Sequence, residues 1–356
     1  MADSLDIQLV VDKLIRRQDA PISCATGNNF NGGLGLRIAS VFVILFSSSF
    51  GAFFPIIAKN NPSLRIPPWA FFFAKYFGSG VIVATAFIHL LSPSNQALTN
   101  PCLTGVITEY PWSQGIALIS LFALFFVEIL AMRYATFSTM TSAMELETSA
   151  ASGDLEKRKV AAPAAGSSTS SAAEPHFSHT QDHQEIDDIP AESYASQLTS
   201  IFILEFGVVF HSIFIGLTLA VSGNEFNTLF IVLTFHQMFE GLGLGSRLAT
   251  VSWPAAKLKT PYIMALAYGL STPLAIAVGL GVRKSYPPEG ATTLVVSGIF
   301  DALSAGILLY TGLVELMAHE FLFSHALRKA STQTVFSAFG IMCLGAMLMA
   351  LLGKWA

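Results

Sequence analysis

Residues 233–247 read LTFHQMFEGLGLGSR, and the four residues ahead of them, Leu229 to Val232, are all apolar. Within two helical turns, His236, Gln237 and Glu240 interrupt a segment that otherwise has the composition of a membrane span. An ionisable group at the bilayer centre costs about 2.5–3.5 kcal/mol on insertion scales. These side chains must therefore face something other than lipid, and the reading of the chain turns on what that is.

The surrounding sequence supports a membrane setting. Of 356 residues, 53% are hydrophobic and only 12% charged, with a mean hydropathy of +0.58, a balance that fits a soluble domain poorly. A bilayer core of about 30 Å needs roughly 20 helical residues per crossing. Eight stretches meet that length: 37–58, 70–91, 114–133, 199–222, 226–247, 261–283, 293–318 and 335–354. Small residues scattered through them suit close helix packing in lipid. The expected fold is thus all-α, a polytopic membrane protein with eight transmembrane helices. The chain divides into a tail at 1–36, helices 1–3 over 37–133, a polar loop over 134–198 and helices 4–8 over 199–356.

Residues 1–35 hold Asp3, Asp6, Asp12, Lys13, Arg16 and Arg17 with no uninterrupted apolar core, so they do not resemble a cleavable signal peptide. Orientation follows from Lys and Arg. With the first span running inward, the inner loops carry eleven of them, among them Lys59, Arg65, Arg247, Lys257 and Lys259, against Arg283 and Lys284 in the outer loops. The positive-inside rule then puts both termini outside. Lys75, near the inner end of the second span, is expected to snorkel to the interface. Cys24 and Cys102 fall on the same outer side, where a disulfide between them is one of the open alternatives.

The loop over 134–198 is much longer than any other connection. Its AAPAAGSSTSSAAEP has the composition of a flexible linker, and HFSHTQDHQEIDD follows. There His176, His179 and His183, among carboxylates, could bind a divalent cation loosely; an ordinary solvated loop is the alternative.

The fourth span, SIFILEFGVVFHSIFIGLTLAV, brings Glu205, His211 and Ser212 into the bilayer. His236 and Glu240 on the fifth are at i and i+4 and so share a helix face. A short turn at Gly223, Asn224 and Glu225 joins the two spans, and His211 and His236 each lie eleven or twelve residues from it, so they sit at similar depth. Two imidazoles and one carboxylate form a known zinc-ligand set, and an incomplete shell suits passage better than a closed one. Ser212 and Gln237 flank the ligands. Helix-gluing hydrogen bonds explain a lone His well, and explain three such groups in register on neighbouring helices poorly. His89 in TAFIHLLSP, Asp301 in the outer part of span seven, and Glu315 and His319 in LVELMAHEF mark a series of entrance and release points from outside to inside. Glu128 in span three is read as a partner for Arg133.

HSIFIG at 211–216 followed by HQMFEG at 236–241 resembles the signature of spans four and five in the ZIP family of divalent-metal transporters, in the branch of fungal zinc and plant zinc and iron importers. AFIHLLSP, YGLSTP and AGILLYTGLVELMAHEF are similar to that branch as well. The resemblance implies import of zinc, or of iron or another divalent metal, into the cytosol through inverted three-helix repeats around helices 4 and 5, with an elevator-like movement. By motif it makes His211, His236 and Glu240 the transport ligands and implies a plasma-membrane location. Where some members hold a second bridged metal on carboxylates, this chain has Ile215, Gln237 and Thr272. A two-metal site is therefore not expected.

An intramembrane metal-dependent hydrolase is the alternative from another class. Its H-E-x-x-H motif is absent: HQMFE has the wrong order, and His319-Glu320 is followed by Phe321, Leu322 and Phe323. No nucleotide-binding motif is present, so transport is not expected to draw on ATP in this chain. No cofactor is expected. The expected partners are divalent cations and the bilayer, not nucleic acid, and a homodimer is left open.

Overall fold

The computed structural model describes residues 23–130, 133, 189–251 and 253–355. His176, His179 and His183 lie outside them. Eight long helices and no strands make up the described residues: α1 (Leu34–Asn60), α2 (Pro68–Leu98), α3 (Trp112–Leu130), α4 (Ile189–Val221), α5 (Phe226–Thr250), α6 (Thr260–Val282), α7 (Ala291–Phe323) and α8 (Thr332–Leu352). All but α5 are long and apolar enough to cross a membrane. In α5 the polar residues of HQMFEG lower the hydropathy, and the helix hides its polar face, with His236, Gln237 and Glu240 all buried.

Helix ends alternate along the chain. One end of the bundle collects Leu34, Leu98, Val221 and Leu352 and is called here the terminal end. The other collects Asn60, Pro68, Thr250 and Thr332 and is called the basic end, after Lys59, Arg65, Lys257 and Lys259.

The chain divides into two compact units, Met1–Leu124 with Ile201–Ala356, and Phe125–Ser200. The described part of the second is the end of α3 and the start of α4. All further packing concerns the first unit. There α5 packs along α1 and α6, while α2 packs along α8 and α7. α4 joins α6 through Gly216, where a side chain would meet the Thr272 carbonyl. The α2–α5 crossing is backbone on backbone: a methyl group added to Gly78 would overlap the Cα of Gly243. Removing both side chains lets the helices approach closely enough to bury the polar face of α5.

α4 begins at Ile189, ten residues before the expected start at 199 and within the expected loop, and two other helices run well past their expected C-terminal ends. α2 continues through Ser92, Pro93, Asn95 and Gln96 to Leu98, because polarity ends an apolar run without ending a helix. The chain is wound as a π-helix over Thr85–Leu91, with the Ser92 N–H bonded to the Phe87 carbonyl five residues back, and this wider winding accommodates Pro93. α7 is likewise π-wound over Thr311–Phe323.

At the terminal end, the segment before α1 is tied down at several points. Asn28 Nδ2 donates to the carbonyls of Arg283 (2.6 Å) and Tyr286 (2.8 Å). Arg37, 1% exposed, donates to the carbonyls of Gly32, Ala220 and Ser222 at 2.8, 3.0 and 2.6 Å, and its guanidinium lies between the Phe30 and Phe226 rings. A buried cation is tolerable here because the last carbonyls of α4 need donors and the rings supply their negative faces. Cys24 and Cys102 are disulfide-bonded, with Cα atoms 4.8 Å apart.

Candidate metal centre

His211 projects from the middle of the membrane part of α4, and His236 and Glu240 from one face of α5. Their ligand atoms all lie within 4.8 Å of one another, and all three residues are buried. His236 Nε2 stands 3.3 Å from Glu240 Oε1, and the two imidazole rings are 5.8 Å apart between centroids. None of the four imidazole nitrogens and neither oxygen of Glu240 has a hydrogen-bond partner, although all are buried. Six such atoms in one place are a poor structural cluster, since buried polar groups are ordinarily paired. They are a good donor set for a cation.

A tetrahedral zinc with bonds of about 2.1 Å wants ligands about 3.4 Å apart, so binding would draw these groups inward by about 1 Å. Their chemistry, two imidazoles and one carboxylate, suits zinc or iron and disfavours calcium or magnesium, which prefer oxygen.

The supporting residues differ in what they do. Gln237 Nε2 makes a long 3.4 Å contact with Ser212 Oγ, bridging α5 to α4 beside the ligands. Tyr268 of α6 donates its hydroxyl to the Gln237 carbonyl at 2.5 Å, which fixes α5 at the level of the site. Thr272, one turn on, is fully buried with its hydroxyl unpartnered. Sequence reasoning passed over Tyr268, although it opens the YGLSTP stretch. Only its contact with a backbone atom 31 residues away reveals its role.

Two residues read as outlying points are drawn to the site. His89 is not at a helix end: the extension of α2 places it inside, 6% exposed, its ring 4.6 Å from that of His236 and its Nε2 2.9 Å from the Met349 carbonyl. Asp301 Oδ1 lies 3.9 Å from His211 Nδ1. Both line a cavity of about 360 Å³ with His211, Thr218, Gln96 and Ser297. The last three belong to the terminal ends of α4, α2 and α7, so the cavity leads from that end down to the imidazoles.

Glu315 and His319 lie in the π-wound part of α7, half-buried and exposed respectively, on the basic-end side. Lys75 does more than snorkel: its ammonium is ion-paired with Glu320 of α7, because α2 and α7 meet closely enough to offer a buried carboxylate before the interface is reached. Glu205 is buried in α4.

Residues 34–353 match the model of the ZIP zinc transporter family. The chain belongs to that family. It is 42% identical over 419 aligned positions to zinc-regulated transporter 2 of Saccharomyces cerevisiae, covering 96% of this chain and 99% of the relative. It is 38% identical to zinc-regulated transporter 1 of Schizosaccharomyces pombe, over 96% and 92% of the two chains. It is 33% identical to zinc transporter 3 of Arabidopsis thaliana, over 92% and 87%. This ZIP protein is thus a multi-pass membrane transporter whose substrate is a divalent metal ion, and not an enzyme.

Proposed function

We propose that this ZIP protein imports zinc, holding it on His211, His236 and Glu240 on its way from the terminal end to the basic end. The observation that carries the assignment is the convergence of these three buried groups, whose ligand atoms lack hydrogen bonds, beside a cavity that His211 lines. Two imidazoles replace part of the ion's hydration shell, and Glu240 offsets one of its charges. His89 and Asp301 form the approach to the site, and Glu315 and His319 the release side. We assign the terminal end to the outside and the basic end to the cytosol, since Lys and Arg concentrate at the latter. Resemblance to fungal zinc importers supports a plasma-membrane location. On that orientation the tail at 1–36 belongs to the outside and the loop at 134–198 to the cytosol, where His176, His179 and His183 would offer a regulatory zinc-binding cluster.

The test is flux into proteoliposomes for zinc, iron, manganese and cadmium, comparing the wild type with His236→Ala and Glu240→Ala. Zinc flux lost in both variants is the expected result. Absence of flux of any metal in the wild type would sink the assignment.

A further inference from the structure

Beyond Glu240, α5 carries a residue that a cation pathway would not be expected to contain. Arg247 follows Glu240 by seven residues, which on an α-helix is nearly the same face, about 10 Å nearer the basic end. Its Nε and Nη2 atoms are buried and have no hydrogen-bond partner. The charges of Glu320 and Glu315 on α7 act on it through space, and Tyr76 of α2 contributes as well. Glu320, 8% exposed, is itself paired with Lys75. Around this cluster α5 is pressed against α2, Gly243 on Gly78 and the Phe239 ring edge-on to Phe77 at 5.3 Å. The cavity, by contrast, reaches the site from the other side.

A cation released from Glu240 toward the basic end thus meets a buried guanidinium, and the carboxylates that could receive it are matched by Arg247 and Lys75. Simple helix glue would need one donor and one acceptor. Here two cations from two helices face two carboxylates of a third, and the donors of Arg247 are incompletely used. We propose that Arg247 is a charged plug that closes the basic end, held by Glu315 and Glu320 and retracted when the release side opens. Lys75 stands in for the transported ion on Glu320 while the plug is seated. Withdrawal of Arg247 removes the repelling charge and frees the carboxylates for the metal in one step. Arg247 is on this account a positioning residue whose charge sets which end is open. The inference rests on the zinc-import reading for its direction.

The test reads accessibility rather than flux alone. Replacing Cys343 by Ser leaves the Cys24–Cys102 disulfide and no free thiol, and Ser297→Cys then puts a reporter on the cavity wall. In right-side-out vesicles, a membrane-impermeant maleimide should label this reporter readily. Adding Arg247→Gln is expected to slow labelling about tenfold, a population shift of about 1.4 kcal/mol. Arg247→Lys, which keeps the charge, should restore a rate close to the parent's. Equal rates in the parent and Arg247→Gln, or no rescue by Lys, would overturn the plug. Should Arg247→Gln fail to reach the membrane, Glu320→Gln removes the facing anion at nearly constant volume and must also slow labelling; an unchanged rate overturns the idea equally. Zinc flux of the parent in the same vesicles keeps the two readings apart, because the labelling comparison stands even if no zinc moves.

Discussion

Replacing Glu240 by Gln keeps the size of the side chain and removes the anion from the three convergent groups. In the wild type both of its oxygens are buried without hydrogen-bond partners, so the carboxylate is costly until a cation arrives. Taking one partner from a buried, charge-assisted pair costs about 3–5 kcal/mol, which is between two and nearly four powers of ten in affinity. Zinc uptake by Glu240→Gln is therefore expected to require at least about a hundredfold more zinc for half-saturation, or to fall below detection. Stability should move little. Without metal, the variant loses the contact of the carboxylate with His236 but also the cost of burying its charge, so its midpoint of thermal unfolding in detergent should stay close to that of the wild type. Added zinc should raise the wild-type midpoint and leave the variant's unchanged, since only binding to the folded state stabilises. A Glu240→Gln protein that melts well below the metal-free wild type while keeping normal zinc saturation would refute the reasoning, because Glu240 would then be a packing residue.

Acidifying the outer side is expected to lower zinc uptake, since protons and zinc compete for the same imidazole nitrogens; uptake that rises on acidification would instead indicate proton coupling. Alkylation of the denatured, unreduced protein should add one adduct, at Cys343, and three after reduction; three before reduction would exclude the Cys24–Cys102 bond. Arg37→Met should destabilise the protein by about 2–4 kcal/mol, the scale of losing charge-assisted hydrogen bonds to buried carbonyls, measured by denaturant unfolding in micelles. A variant as stable as the wild type would show that the carbonyls at the end of α4 find other donors.

Much of the fold was legible because lipid is an exacting solvent. Each crossing must be a continuous apolar helix, and eight appear as runs in the sequence with only their ends misjudged. The centre was legible for the complementary reason: His211, His236 and Glu240 stand out where ionisable groups are expensive. What was hidden depends on winding or on distant pairing. The π-wound turn of α2 and its extension past Pro93 bring His89 against His236, and no local pattern announces this. Lys75 and Glu320 are 245 positions apart, so a lysine near a helix end looked like an ordinary interfacial residue. Arg37 looked similarly unremarkable at the start of α1. Its burial follows from the segment before it folding over the end of α4.

The placement of Asp301 beside His211 has an electrical consequence. In the proposed site a divalent ion would be matched by one carboxylate from α5, Glu240, and one from α7, Asp301, so the assembly of ion and carboxylates would be neutral. If the ion travels on with α4 and α5, Asp301 stays behind, and the ion with its three ligands carries one uncompensated positive charge. A charge crossing the full membrane field gains or loses about 2.3 kcal/mol per 100 mV. On the proposed orientation, a cytosol-negative potential would then pull the loaded site inward, and the membrane voltage itself would become a source of drive for zinc uptake.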